Sequence, residues 1–179
     1  MNKYTTPVLI PLMLLAAFMA ACKPSGSDSD ASASAGKSAP GSDPYAVAAD
    51  ATIDKVVEIT GDDQMKFNLE FFDVEGGQVV SLTLKNVGSM PKMSMGHNLV
   101  ILEQNADEKA FVEAGMNAPT TDYVPVEMSD VIIAHTKLLG PGESDTITFK
   151  APTKKGRYVF LCSFPGHYQV GMKGYMVVR

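Results

Sequence analysis

The sequence predicts an all-β domain, a β-sandwich of about eight strands with one short helical insertion. Three observations predict it. Short segments rich in β-branched and aromatic residues recur through residues 51–179, with partial apolar/polar alternation. Clusters containing Gly, Pro and Asp separate them. Only one stretch carries apolar residues at helical spacing. In order, the first strands are Ile53–Ile59, Gln64–Phe71 and Gln78–Asn86, punctuated by Gly61-Asp62-Asp63 and Glu75-Gly76-Gly77. His97–Leu102, Asp130–Ile133, Asp145–Lys150, Arg157–Cys162 and Gly174–Val178 follow, with turns at Pro141-Gly142 and Lys154-Lys155-Gly156. The insertion is Ala106–Gly115, where Ala106, Ala110, Phe111 and Ala114 share a helix face and Gly115 is placed to cap the C-terminus. About 130 residues suffice for one core.

The first 50 residues differ in kind. Lys3 precedes an apolar stretch, Val8 to Ala21, interrupted only by Pro11 and too short to span a membrane comfortably. It ends Met19-Ala20-Ala21-Cys22, which resembles a bacterial lipoprotein signal, in which the Cys becomes the lipidated first residue. An ordinary secretion signal cut near Ala21 is the alternative. Lys23 to Pro44 consists of Ser, Ala, Gly, Pro, Asp and Lys with no large apolar residue, so it cannot bury enough surface to fold and reads as a flexible tether. The expected organisation is a signal peptide at 1–21, a linker at 22–50 and a domain at 51–179. Lys23 directly after Cys22 favours the outer membrane, by resemblance to lipoprotein sorting.

Composition excludes several classes. The formal net charge of -5 argues against a nucleic-acid surface. Two Cys are too few for a disulfide scaffold or a four-cysteine zinc site, and three His cannot supply two independent metal centres. What remains is one constellation. Cys162, His167 and Met172 lie close together near the C-terminus, and His97 lies far upstream after Gly96. A thiolate, two imidazoles and a weak thioether form the ligand set of a blue-copper electron-transfer site. A lone reduced Cys in an oxidising compartment is a liability unless it is used. His135 has no neighbour that completes a metal site and reads as structural or surface.

On the segments Gly61 to Asn68, Met95-Gly96-His97-Asn98, Val131 to Leu138, Cys162 to His167 and Met172-Lys173-Gly174, the domain resembles the azurin-like type 1 copper proteins of the cupredoxin family, in a lipid-anchored form. The resemblance covers nearly all of residues 52–179. It implies a cupredoxin Greek-key sandwich with one copper held by His97, Cys162, His167 and Met172, and a weak contact from the Gly96 carbonyl. It also implies that Asn98 braces the ligand loop near Ser163, and that Met65, Met90, Met95, Phe164, Pro165 and Val170 form an apolar patch for redox partners. The resemblance further implies that electrons leave through a partly exposed edge of His167. Two features depart from azurin. Four residues, not three, separate His167 from Met172, a C-x4-H-x4-M spacing like that of auracyanin, with Gly171 available for an unusual backbone angle. The N-terminal disulfide of azurin has no counterpart, since Cys22 is assigned to the anchor and Cys162 to copper.

The function expected is a non-enzymatic electron carrier in the bacterial envelope, facing the periplasm. Its partners would be redox proteins such as c-type cytochromes, nitrite reductase or peroxidase, with the membrane engaged through lipid on Cys22. Neither nucleic acid nor a small-molecule substrate is expected. A copper chaperone or buffer using Met90, Met93, Met95 and His97 is the alternative. A hydrolase with Cys162 as nucleophile and His167 as base lacks an orienting acid and an oxyanion-hole signal. Mass spectrometry of the mature protein is expected to find lipid on Cys22, and an unmodified soluble chain would refute the anchor.

Overall fold

The computed structural model describes residues 43–179. The expected signal peptide at 1–21, Cys22 and the linker up to residue 42 lie outside the described residues. Eight strands form two sheets. In chain order they are β1 (Lys55–Gly61), β2 (Phe71–Val74), β3 (Val79–Asn86), β4 (Val100–Leu102), β5 (Ile132–His135), β6 (Ser144–Lys150), β7 (Gly156–Leu161) and β8 (Lys173–Val178). One sheet runs β1-β3-β6 and the other β2-β8-β7-β4-β5. The pairs β1/β3 and β2/β8 are parallel and the others antiparallel.

Strand alternation builds the main core. Val80, Leu82, Leu84 and Asn86 point inward from β3 while their neighbours are partly or fully exposed. Val80, Leu82 and Leu84 meet Ile59, Leu99, Ile101, Phe160 and Met176 from the other elements. Phe160 is central, stacking on Phe72 at 5.7 Å and meeting the edge of Phe67 at 5.6 Å. In β7, four consecutive residues are buried, because the strand is covered on both faces. Tyr158 and Phe160 fill the main core, whereas Val159 and Leu161 lie in a second cluster with Phe111 and Val112 of helix α2 (Glu108–Gly115).

Several boundaries differ from expectation. Of the strand expected at Gln64–Phe71 only Phe71 is strand, as the start of β2: the Asp62 carboxylate accepts the N–H groups of Gln64 and Lys66 at 3.0 and 3.2 Å, and Met65 takes a left-handed φ of 57°. This side-chain-closed turn competes successfully with sheet pairing. Only Phe67 bridges back to Gly61. His97 likewise precedes its strand, forming an isolated bridge with Leu139. The strand expected at Asp130–Ile133 begins at Ile132, after a 3-10 turn over Val126–Val131. Helical content exceeds one insertion: a short helix α1 (Lys92–Met95) and a 3-10 turn at Pro119–Thr121 are also present. Helix α2 starts after Asp107, whose carboxylate accepts from the N–H groups of Lys109 and Ala110. Gly115 does not cap it but lies inside, where a Cβ would sit 2.5 Å from the Tyr123 carbonyl oxygen.

Tyr45, within the stretch expected as linker, packs against the main core. Its carbonyl accepts from the Lys150 N–H at 2.9 Å and its hydroxyl bonds Glu103.

Gly174 of β8 admits Phe160: a Cβ there would lie 2.3 Å from Phe160 Cζ and 2.7 Å from the Glu70 carbonyl oxygen. Gly174→Ala is therefore expected to lower stability by about 1–3 kcal/mol, read as a reduced urea midpoint at unchanged slope.

Candidate metal centre

The ligand cluster occupies one end of the sandwich, where sheet ends and loops meet. Cys162 directly follows β7 and Met172 directly precedes β8. The loop between them is closed by Cys162 N–H to the Met172 carbonyl at 3.1 Å, and by Met172 N–H to the His167 carbonyl at 3.0 Å. Gly166 and Gly171 take φ values of 89° and 95°, which side-chain-bearing residues rarely adopt, and Gly171 thereby accommodates the longer loop. His97 arrives from the segment before β4, held through two backbone bonds to Leu139 at 3.1 and 2.8 Å.

Side chains 65 and 70 positions apart in sequence thus converge. Cys162, His97 and His167 each offer one ligand atom, and these atoms lie within 4.8 Å of one another. Nδ1 of His97 faces Nδ1 of His167 at 3.2 Å, and Sγ of Cys162 is 3.5 Å from the same His167 nitrogen. Cys162 and His97 have no solvent exposure and His167 retains 2%. Met172, also fully buried, clusters with Cys162, Leu138 and Phe164.

Hydrogen bonds outside the cluster set the donor atoms. His97 Nε2 lies 3.0 Å from the Asp62 carbonyl, which can only accept, so the proton of the neutral ring sits on Nε2. Nδ1 then presents its lone pair to the cluster. Asn98 ties three segments together. Its Nδ2 donates to Ser163 Oγ at 2.8 Å and to the Asp122 carbonyl at 2.7 Å, and its Oδ1 accepts from the Ser163 N–H at 2.9 Å. Asn98 and Ser163 are themselves buried.

Electrostatics favour neutral donors. Burial pushes the Cys162 thiol up to about 12, against backbone N–H donors from Asn98 and Phe164 that pull it down. Desolvation, with the nearby His97, lowers His167 to about 4. Desolvation also lowers His97, opposed by its bond to Asp62. Both rings are uncharged at neutral pH, and the sulfur loses its proton only when a cation takes the proton's place. A soft thiolate and two imidazoles in this arrangement fit one copper ion. They do not fit a hard cation, which needs oxygen ligands.

Other residues singled out in the sequence fall around this end. Gly96 is buried with extended backbone, and a Cβ would meet the Lys92 carbonyl oxygen at 2.7 Å and Leu138 at 3.0 Å. Met65 packs partly buried against the Cys162 cluster. Met90 and Val170 are exposed, Pro165 is exposed and Met95 half-buried. Phe164 is buried, wedged between the rings of Tyr123 at 5.1 Å and His167 at 4.7 Å. That wedge corrects the expectation of a partly exposed His167 edge: the ring is almost wholly covered. Its Nε2 nevertheless has no protein partner among the described residues, while no fully buried side-chain nitrogen or oxygen there lacks one, so this atom is the part that meets solvent. His135 is exposed on β5 and lies outside the cluster.

Sequence reasoning missed Gly61, Asp62 and Asp122. A Cβ on Gly61 would fall 3.0 Å from Met172 Cε and 3.1 Å from His97 Cδ2, so this glycine lets the two side chains approach. Asp62 and Asp122 act through backbone carbonyls, which side-chain identity does not advertise. Asp122, at φ 58°, offers its carbonyl from a left-handed turn that continues through Tyr123.

Comparisons with known proteins converge. Residues 54–179 match the family model described as copper binding proteins, plastocyanin/azurin family. The chain is 41% identical over 122 residues to azurin of Alcaligenes faecalis, covering 66% of this chain and 93% of that one. It is 40% identical over 111 residues to outer membrane protein H.8 of Neisseria gonorrhoeae, covering 61% of this chain and 60% of that one. Among solved structures, Na-dithionite reduced auracyanin from the photosynthetic bacterium Roseiflexus castenholzii superposes with a TM-score of 0.63 at 39% identity, covering 72% of this chain and 99% of that one.

The lowered histidines carry a pH signature. Between their ordinary value of 6.5 and the folded value of about 4 for His167, the unfolded chain holds protons that the folded metal-free chain does not. Stability of the metal-free protein is therefore expected to be full above that window and to decline as pH falls through it. Urea midpoints measured from pH 7.5 to 4 check this, and His167→Asn should make the decline shallower.

Proposed function

The chain belongs to the plastocyanin/azurin family of copper-binding proteins, and from that premise we propose that it is an electron carrier rather than an enzyme, working in the bacterial envelope and facing the periplasm. The observation that carries this reading is the buried His97–Cys162–His167 cluster with its donor atoms already oriented. Copper bound there supplies a one-electron Cu(I)/Cu(II) couple. The protein contributes the rest. His97, Cys162 and Met172 exclude water and substrate, because none of them reaches the surface. Met172 would add a weak thioether contact to the ion, and the Gly96 carbonyl a weaker one. The full burial of Met172 in one cluster with Cys162 supports the first assignment. Asn98, bonded to Ser163 and Asp122, keeps the ligand loop from relaxing between oxidation states. Low reorganisation follows when donors are locked in place.

His167, whose Nε2 is the ligand-ring atom that meets solvent, is the outer-sphere exit for the electron. Around it Met65, Met90, Met95, Pro165 and Val170 offer apolar surface, with Phe164 stacked on the ring beneath. Such a surface suits brief docking to a redox protein, for example a c-type cytochrome, nitrite reductase or peroxidase. Similarity to a protein named for the outer membrane supports an envelope location, and lipid on Cys22 would provide the attachment. The chaperone reading draws on the exposure of Met90 and Met93. It explains less, because an exchangeable cargo site does not call for a fully buried thiolate with two backbone N–H donors.

Adding Cu(II) to the metal-free protein is expected to give an intense visible band from thiolate-to-copper charge transfer, lost in Cys162→Ser. A colourless protein that binds only Cu(I) would favour the chaperone.

A further inference from the structure

Helix α2 meets the ligand loop by packing of Tyr168 against the Phe111 and Val112 cluster and by hydrogen bonds to one carboxylate. Glu108 opens the helix just after its Asp107 cap, so its backbone is fixed. Its Oε2 accepts the Tyr168 hydroxyl at 2.8 Å and the Lys173 ammonium at 2.8 Å. The Lys173 ammonium also sits 4.9 Å from the centroid of the Tyr168 ring, closing a triangle. Tyr168 directly follows His167, and Lys173 directly follows Met172. The residues that bracket the segment between these two side chains are thus tied to a single oxygen atom, 60 and 65 positions away in sequence.

The segment between them needs such a tie. Gln169, Val170 and Gly171 are exposed, and beyond a shallow concavity that Gln169 and Gly171 share with Lys109, Val112 and Glu113 of α2, little holds them from outside. Gly171 lies in the left-handed region, and only short-range backbone bonds, such as Gly171 N–H to the Tyr168 carbonyl, close the turn. The Glu108 and Lys173 side chains are 25% and 32% exposed, sheltered enough for charge-assisted bonds to hold against solvent. A thioether bond to copper is long and weak, so it cannot fix its own distance, and the potential follows that distance. We propose that Glu108 is a positioning residue: its bonds to Tyr168 and Lys173 fix the spacing of His167 and Met172 and thereby set the spectrum and potential of the copper site. This rests on the copper reading above.

The test compares Glu108→Ala, Glu108→Gln and Tyr168→Phe in the full chain. In metal-free Glu108→Ala, amide hydrogens of Tyr168 to Lys173 are expected to exchange roughly tenfold faster, as befits loss of charge-assisted hydrogen bonds. After copper loading, its charge-transfer band and paramagnetic resonance spectrum should shift together with the potential. Glu108→Gln, which removes the charge but keeps an acceptor, should retain most of the wild-type spectrum, and Tyr168→Phe should fall between. Should Glu108→Ala fail to fold, the other two variants carry the comparison. Loop exchange at the wild-type rate, or a potential that moves equally in Ala and Gln variants with an unchanged spectrum, would overturn the proposal. A wild-type protein that forms no charge-transfer band would overturn the copper reading instead, while loop exchange in the metal-free protein would still report whether Glu108 holds the loop.

Discussion

The sulfur of Cys162 is cut off from water, and a sulfur in that position cannot carry negative charge unless a cation sits against it. Much of the site follows from this constraint. Two neutral imidazoles face the thiol because charged ones would be repelled by a bound cation and penalised by burial. Their proton positions matter, and the Asp62 carbonyl sets one of them by accepting the Nε2 proton of His97. The N–H groups of Asn98 and Phe164 point at the sulfur and ease its ionisation without themselves being charged.

Holding such donors together requires a scaffold that does not give way. The sandwich supplies it through Phe160, Leu82, Leu84 and their neighbours, which anchor the strands that deliver the ligands. Cys162 and Met172 ride on β7 and β8, which are paired along six residues. His97 has no strand of its own and depends on the bridge to Leu139 and on Asn98 beside it. The amide of Asn98 is therefore a staple between three segments that approach only in the folded state.

The helical insertion has two tasks. Its apolar face covers the outer side of β7, turning a half-exposed strand into a buried one, and its first residue reaches the ligand loop. Pro165 and Val170, both exposed, lie in the ligand loop itself, and exposed Met90 bonds Asp63, the neighbour of the residue whose carbonyl meets His97.

The sequence by itself determined the sandwich class, most strand positions and the residue types that hold metal, because alternation and ligand chemistry are local properties. Cys162 and His167 were legible from their spacing, and His97 from its setting beside Gly96 and Asn98. Gln64–Phe71 was misread because its apolar residues suggest a strand, while the Asp62 carboxylate closes a turn there. Only the tertiary structure decided the covering of His167, the approach permitted by Gly61, the carbonyl partners at Asp62 and Asp122, and the bond between Glu108 and the ligand loop. Each of these is a contact between segments distant along the chain. Several are made by backbone atoms that every residue possesses, so side-chain pattern holds no record of them.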